Sequence, residues 1–79
     1  MYVIALKREE VNVYDKADKS SRIEAVTPKG LIRIKCDYYV RGLNDDDMYW
    51  YVAYRTEEVY FFGFIHDEDI DDNTIKVIL

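Results

Sequence analysis

The chain has 79 residues and a formal net charge of −5 at pH 7, and 49% of its residues are apolar. This length fits one domain with a modest core, so residues 1–79 are expected to fold as a single unit. No apolar run approaches the roughly 18 residues of a membrane-spanning helix, and the density of aromatic residues argues against disorder.

The single cysteine and the first residues bear on cellular location. Cys36 has no partner within the chain, which excludes an internal disulfide and favours a reducing compartment. Residues 1–7 lack the basic start and long apolar segment of a secretory signal. We therefore expect a cytoplasmic protein that does not bind membranes.

Charge is unevenly distributed along the chain. Residues 1–36 carry a net charge of +3, whereas residues 37–79 carry −8. The acidic half would attract a basic surface on another protein, while direct nucleic-acid binding is disfavoured because it usually requires a basic patch. An alternative interpretation is that the carboxylates only keep an aromatic-rich domain soluble.

The first part of the chain has the pattern of short strands. Residues 2–7, 11–14 and 23–26 are predicted strands, and a polar loop at 15–22 separates the last two. The segment Thr27-Pro28-Lys29-Gly30 suits a type I turn, since proline occupies the second position and glycine the fourth.

Residues 31–41 show the clearest alternation. One face would carry Ile32, Ile34, Cys36, Tyr38 and Val40, and the other Leu31, Arg33, Lys35, Asp37, Tyr39 and Arg41. This period of two predicts a strand with one buried face, and Cys36 is among the side chains expected to be buried.

The second half continues the strand pattern. The loop 42–47 precedes a predicted hairpin of strands 48–55 and 59–65, closed across Thr56-Glu57-Glu58. After a turn-like segment at 71–74, a last strand at 75–79 is predicted to pair with the opening strand and cover a sheet edge. Six or seven short strands without a helix indicate an all-β barrel or sandwich.

No arrangement of residues predicts catalysis. Cys36 is expected to be buried and His66 to lie on the surface, with no third group to orient a nucleophile. Asp67, Asp69 and Asp71 alternate like the start of a calcium loop, but the turn glycine and final glutamate of such a loop are missing. We therefore expect no metal, no cofactor and no enzymatic activity.

Aromatic residues are more numerous than so small a core needs. In the strand 48–55, Trp50, Val52 and Tyr54 face one way, and Tyr49, Tyr51 and Ala53 face the other. Because a small barrel has one inside, some aromatics must be exposed, and clusters of exposed aromatics tend to mark interaction surfaces. The alternative is that they cover the open ends of the barrel or lie beneath the first loop.

Residues 2–70 resemble the bacterial SH3 (SH3b) family. The matching segments are Val11-Asn12-Val13-Tyr14 with its following polar loop, Ile23, Lys29-Gly30, Tyr49-Trp50-Tyr51-Val52 and Gly63-Phe64-Ile65-His66-Asp67. Their order and spacing carry the resemblance, since no single motif is specific. It implies an all-β fold, a small, partly open antiparallel SH3-like barrel, here with an extra C-terminal strand at 71–79. Family members often bind cell-wall peptides or other proteins, so the fold alone does not supply a function.

The resemblance also implies a shallow aromatic groove flanked by the hairpin and the two long loops. Its candidate residues are Tyr14, Tyr39, Trp50 and Phe64. Two acidic groups accompany it, namely Asp45, Asp46 and Asp47, and then Asp67, Glu68 and Asp69 with Asp71 and Asp72 beyond them. Aromatic anchors would supply most of the affinity, and the aspartates would speed the encounter.

The leading hypothesis is a non-enzymatic protein-binding module, a small acidic adaptor or inhibitor whose partner is a protein with a basic surface. Such a protein could be encoded by a phage or mobile element. Two alternatives stay open: an SH3b module that binds peptidoglycan peptides, and an acidic nucleic-acid mimic that blocks a basic site. The same exposed aromatics could also form a homodimer.

Overall fold

The computed structural model describes residues 1–77, without the side chains of Asp72, Thr74, Lys76 and Val77. Strands account for most of this part: β1 (Tyr2–Leu6), β2 (Asn12–Tyr14), β3 (Ile23–Val26), β4 (Arg33–Arg41), β5 (Met48–Arg55), β6 (Tyr60–His66) and β7 (Ile70–Val77). A 3-10 turn, Asp67–Asp69, joins β6 to β7. Within residues 1–77, no helix has the length and apolar character that crossing a bilayer requires.

The seven strands form one antiparallel sheet in the order β3-β2-β6-β5-β4-β1-β7. The sheet curls into a half-barrel, the small all-β SH3-like architecture expected from the sequence. β7 lies at one edge beside β1, which confirms the predicted pairing of the first and last strands. Ile78 and Leu79, the end of the predicted last strand, lie outside the described residues.

The predicted turn at residues 71–74 is wrong. These residues belong to β7, which begins at Ile70 and shifts register between its pairs with Val3 and Ala5. These polar, turn-forming residues form an irregular part of an edge strand. An edge strand tolerates the irregularity because its unpaired backbone groups can bind water. A turn and an edge bulge favour the same residue types, so the local sequence does not separate them.

The core lies on one face of the curled sheet, which we call the inner face. Six of the strands, or the residue next to them, supply its buried side chains: Ile4, Leu6, Val11, Val13, Ile34, Cys36, Trp50, Val52, Phe61, Ile65 and Ile70. Trp50 and Val52 share one face, as the alternation of β5 predicts, and the structure shows that this face is the buried one. The other side of the sheet is the outer face.

β4 does not alternate regularly along its length. Cys36 pairs with Val52 but Tyr38 pairs with Tyr51, so one extra residue in β4 interrupts the ladder. Such a bulge exchanges the two faces of a strand. Cys36 is buried as predicted, but Tyr38 is 45% exposed on the outer face, and the prediction that it shares the buried face is wrong. Ile32, also predicted to be buried, precedes β4 and is exposed.

Two turns lie at or near their predicted positions. The β5–β6 hairpin closes across residues 56–59, and the Thr56 hydroxyl accepts the backbone N–H of the last of these. The turn before β4 comes one residue later than predicted, since the Leu31 N–H donates to the Pro28 carbonyl and Gly30 has a φ of +85°. A positive φ at the third position is typical of a type II turn, so the type I prediction is wrong.

Candidate protein-binding surfaces

The loop 42–47 is held in one shape by its own aspartates. Oδ1 of Asp45 accepts the Asp47 backbone N–H at 2.9 Å, and the Gly42 N–H donates to the Asp47 carbonyl at 2.8 Å. Oδ2 of Asp45 accepts the Tyr49 hydroxyl at 2.9 Å. A Cβ at Gly42 would collide with Asp45 Oδ1, so glycine allows the loop to close this tightly. The predicted acidic loop is therefore an ordered one.

Tyr49 is fully buried beneath the first polar loop. Its hydroxyl donates to Asp45 and accepts the backbone N–H of Lys19 at 3.0 Å. Burial, aided by the hydrogen bond to Asp45, raises the pKa of Tyr49 to about 12. The phenol stays protonated at neutral pH and joins the loop 15–22 to the loop 42–47. The alternative that some aromatics lie beneath the first loop is confirmed for this residue.

His66 is buried, and the prediction of a surface histidine is wrong. Its Nδ1 accepts the backbone N–H of Glu68 at 2.9 Å, so Nε2 carries the ring proton and donates to Oδ2 of Asp47 at 2.8 Å. The ring also contacts Tyr49 edge-on, with 4.9 Å between the ring centroids. The imidazole therefore ties the 3-10 turn to the acidic loop.

The 3-10 turn carries the second predicted acidic group. Oδ1 of Asp67 accepts the indole N–H of Trp50 at 3.2 Å. Glu68 forms an ion pair with Lys19 at 2.8 Å, and that contact lowers the pKa of Glu68. Both carboxylates thus stabilise the local fold while they remain at the surface.

Asp69 differs from its neighbours because its side chain is almost completely buried. Burial raises the pKa of Asp69, and the ion pair with Arg8 opposes that effect. This aspartate therefore lies in the interior and offers almost no surface to a partner. Asp46 is exposed and forms no hydrogen bond or ion pair with the described residues. We define the acidic end of the molecule as Asp45, Asp46, Asp47, Asp67 and Glu68.

One exposed ring lies next to the acidic end. Trp50 belongs to the core and is 6% exposed, whereas Tyr39, opposite it on β4, is 44% exposed. The Tyr39 and Trp50 ring centroids are 4.8 Å apart, and Tyr2 meets each ring at 5.6 Å. Tyr39 therefore presents an aromatic surface to solvent, and Trp50 supports it from below.

The four predicted groove aromatics do not come together on one face. Tyr39 and Trp50 pair on the inner face, whereas Tyr14 and Phe64 pair on the outer face. Tyr14 is buried, and Phe64 is half-buried. The hydrogen bond between Asp67 and the Trp50 indole joins the acidic end to the first pair.

A second apolar surface covers the outer face, and sequence reasoning missed most of it. Its residues are Ile23, Val26, Tyr38, Tyr51, Tyr60, Phe62 and Phe64. Tyr38 stacks on Tyr51 with 5.0 Å between ring centroids, and Phe64 meets Tyr51 at 5.2 Å. The alternation of β6 could have indicated Tyr60 and Phe62, but Tyr38 reaches this face only because of the bulge in β4.

The Cys36 thiol does not meet the His66 imidazole, so the two do not form a catalytic pair. Burial raises the pKa of the Cys36 thiol to about 11. Cys36 lies opposite Val52 and His66 lies opposite Tyr49, so the two are separated by roughly 10 Å along β5 and point to opposite faces. Among the residues described, no group of three or more metal-binding side chains could hold an ion.

No family model, curated protein or solved structure matches the chain. The fold class rests on the strand topology, and membership of the SH3b family stays a prediction.

Proposed function

We propose that this chain is a non-enzymatic protein-binding module, a small acidic adaptor or inhibitor that acts inside the cell on a protein with a basic surface. The observation that carries the proposal is the acidic end, where all carboxylates but that of Asp46 are held by a hydrogen bond or an ion pair and still reach the surface. The Asp47 side chain is bonded to buried His66 but stays 55% exposed, and that of Glu68 is 47% exposed.

Carboxylates that are already held in position favour binding, because their side chains lose little conformational entropy when a partner binds. Ordering a flexible side chain at an interface costs roughly 0.5–1.5 kcal/mol. Tyr49 already holds Asp45, and His66 already holds Asp47, before any partner arrives. The clustered negative charge would also speed the encounter with a basic protein, most strongly at low salt.

Tyr39 is the aromatic anchor best placed beside the acidic end. Its ring is supported by Trp50 and Tyr2, so it is presented to solvent in a fixed orientation. An arginine or lysine over a tyrosine face gains about 0.5–1 kcal/mol at an exposed site and about 2 kcal/mol when water is excluded. A basic partner would therefore meet the ring and the carboxylates together.

The test starts from a partner isolated by cross-linking and continues with binding kinetics on the purified pair at low and high salt. Asp46→Asn removes an exposed charge without breaking a hydrogen bond, and Glu57→Gln in the β5–β6 turn is its matched control. Asp46→Asn should slow association several-fold at low salt, whereas Glu57→Gln should not. Tyr39→Ala should speed dissociation about tenfold or more.

The proposal is overturned if folded Asp46→Asn and Tyr39→Ala variants bind like the wild type at every salt concentration. Firm co-sedimentation of the chain with purified peptidoglycan would favour a wall-binding module instead. Trp50→Ala is unsuitable as a probe, because Trp50 lies in the core. Its loss would lower the stability of the fold, so a change in binding could not be assigned to the surface.

A further inference from the structure

The outer face differs in character from the acidic end. Tyr38, Tyr60 and Phe62 are 45%, 66% and 49% exposed, and Ile23 and Val26 are 50% and 51% exposed. A soluble monomer rarely exposes a large continuous apolar patch unless the patch binds something. The outer face is therefore treated as an interaction surface in its own right.

Charges are divided between the two ends of the outer face. The acidic end lies where β4 leads into β5, whereas Arg33, Lys35 and Arg55 lie toward the other end of the same strands. None of these three cations forms an ion pair with a side chain that the structure describes. Glu57 and Glu58 in the neighbouring turn offset part of their charge. Lys19 and Arg41 likewise offset part of the charge of the acidic end, so the molecule is net negative at one end and weakly positive at the other.

We infer that the outer face binds the outer face of a second copy of this chain, with the strands of the two sheets antiparallel. This orientation places the acidic end of each copy over Arg33, Lys35 and Arg55 of the other, so the same complementary contact forms twice. A parallel orientation would oppose acidic end to acidic end and is disfavoured by repulsion. A basic protein fits this face less well, because it would meet these cations.

The exposed area sets the strength expected of such a dimer. A fully buried aromatic side chain covers about 150–250 Å², so each half-exposed ring can bury roughly 100 Å² more. These three rings, together with the half-exposed aliphatic side chains of Ile23 and Val26, would bury on the order of 500 Å² per copy, or roughly 1,000 Å² in total, the lower limit for a specific interface. We therefore expect a weak dimer that forms at high micromolar concentration. Because it would cover part of the acidic end, dimerisation would compete with binding of a basic partner.

The experiment needs only the purified chain, so its outcome is independent of the proposed function. Sedimentation equilibrium from about 10 μM to 1 mM at low salt should show the mass rising from 9.5 kDa toward twice that value. Tyr60→Ser should raise the dissociation constant at least tenfold. Ile32→Ser is the matched control, because Ile32 is 55% exposed and its carbonyl accepts the N–H of Leu6, an inner-face residue. Arg55→Gln should weaken the dimer at low salt more than at high salt.

A mass that stays at 9.5 kDa up to 1 mM would overturn the inference. Equal weakening by Tyr60→Ser and Ile32→Ser would also overturn it, since the contact would then not use the outer face. Circular dichroism of each variant establishes that it is folded. Concentration-dependent amide shifts in β4, β5 and β6, absent from Tyr60→Ser, would locate the contact independently.

Discussion

The thiol of Cys36 donates a hydrogen bond to the carbonyl oxygen of Tyr38, with 3.0 Å between sulfur and oxygen. The bond spans the bulge in β4 and supplies a buried donor where the ladder is interrupted. The bulge decides which of two neighbouring tyrosines faces which way: Tyr38 joins the outer face, and Tyr39 meets Trp50 on the inner face. One backbone irregularity therefore supplies an aromatic ring to each proposed surface.

Cys36 should react slowly with a thiol reagent in the native protein and rapidly after denaturation. The side chain is fully buried, and its pKa of about 11 leaves little thiolate at neutral pH. Colorimetric titration of the thiol with and without urea measures both rates. Rapid labelling under native conditions would show that the bulge opens or that the faces of β4 are reversed.

Replacing Tyr49 by phenylalanine should destabilise the fold by about 1–2 kcal/mol. The change removes the acceptor of the Lys19 N–H and the donor to Asp45, and partners left unsatisfied cost about this much. Urea denaturation gives the free energy of unfolding. Tyr51→Phe is the control, because the Tyr51 hydroxyl makes no hydrogen bond to the described residues and its loss should have little effect. Equal effects of the two changes would contradict the role assigned to Tyr49.

Asp69 should make the free energy of unfolding depend on pH. Burial raises its pKa in the folded state, so folding favours the protonated form. The resulting contribution to stability is complete below the unfolded value of about 3.9 and is lost as the pH rises through the folded pKa. Asp69→Asn should therefore match the wild type near pH 3 and be the more stable at pH 7.

The Asp69 prediction is checked by denaturation of both proteins from pH 3 to pH 7. Arg8→Gln should lower stability at pH 7 and not at pH 3, because Arg8 partly offsets the buried charge. An Asp69→Asn variant that is less stable than the wild type at pH 7 would mean that the ion pair outweighs the cost of burial.

Gly63→Ala should destabilise the protein by about 2 kcal/mol or more. Gly63 has a φ of +150°, and a Cβ there would lie 2.5 Å from the Tyr14 carbonyl, which would separate β2 from β6. Gly30→Ala separates the backbone strain of a positive φ from a steric clash, because Gly30 also has a positive φ but faces open space. This substitution should lower the free energy of unfolding by only about 1–2 kcal/mol. Thermal unfolding of both variants shows which substitution destabilises the protein more. The account of Gly63 is wrong if Gly30→Ala is the more damaging change.

Local patterns in the sequence predicted much of the architecture. The alternation in β5 correctly put Trp50 and Val52 on the same face, because side-chain direction in a regular strand depends only on the period of two. It did not indicate which of the two apolar faces is buried. Local signals also predicted the burial of Cys36, which precedes the bulge, and the hairpin at 56–59. The pairing of the first strand with the last followed from the apolar character of both segments. Each of these predictions depends either on residues close together in the chain or on the need to cover an apolar strand at the edge of the sheet.

Only the tertiary structure decided which residues form the two surfaces. The bulge in β4 moved Tyr38 outward, and loops distant in sequence buried Tyr49 and His66. Asp45 and Asp47, read from the sequence as free acidic groups, proved to be the hydrogen-bond partners of those two rings. A carboxylate's role depends on which donors lie within about 3 Å, and the folding of the whole chain brings those donors there.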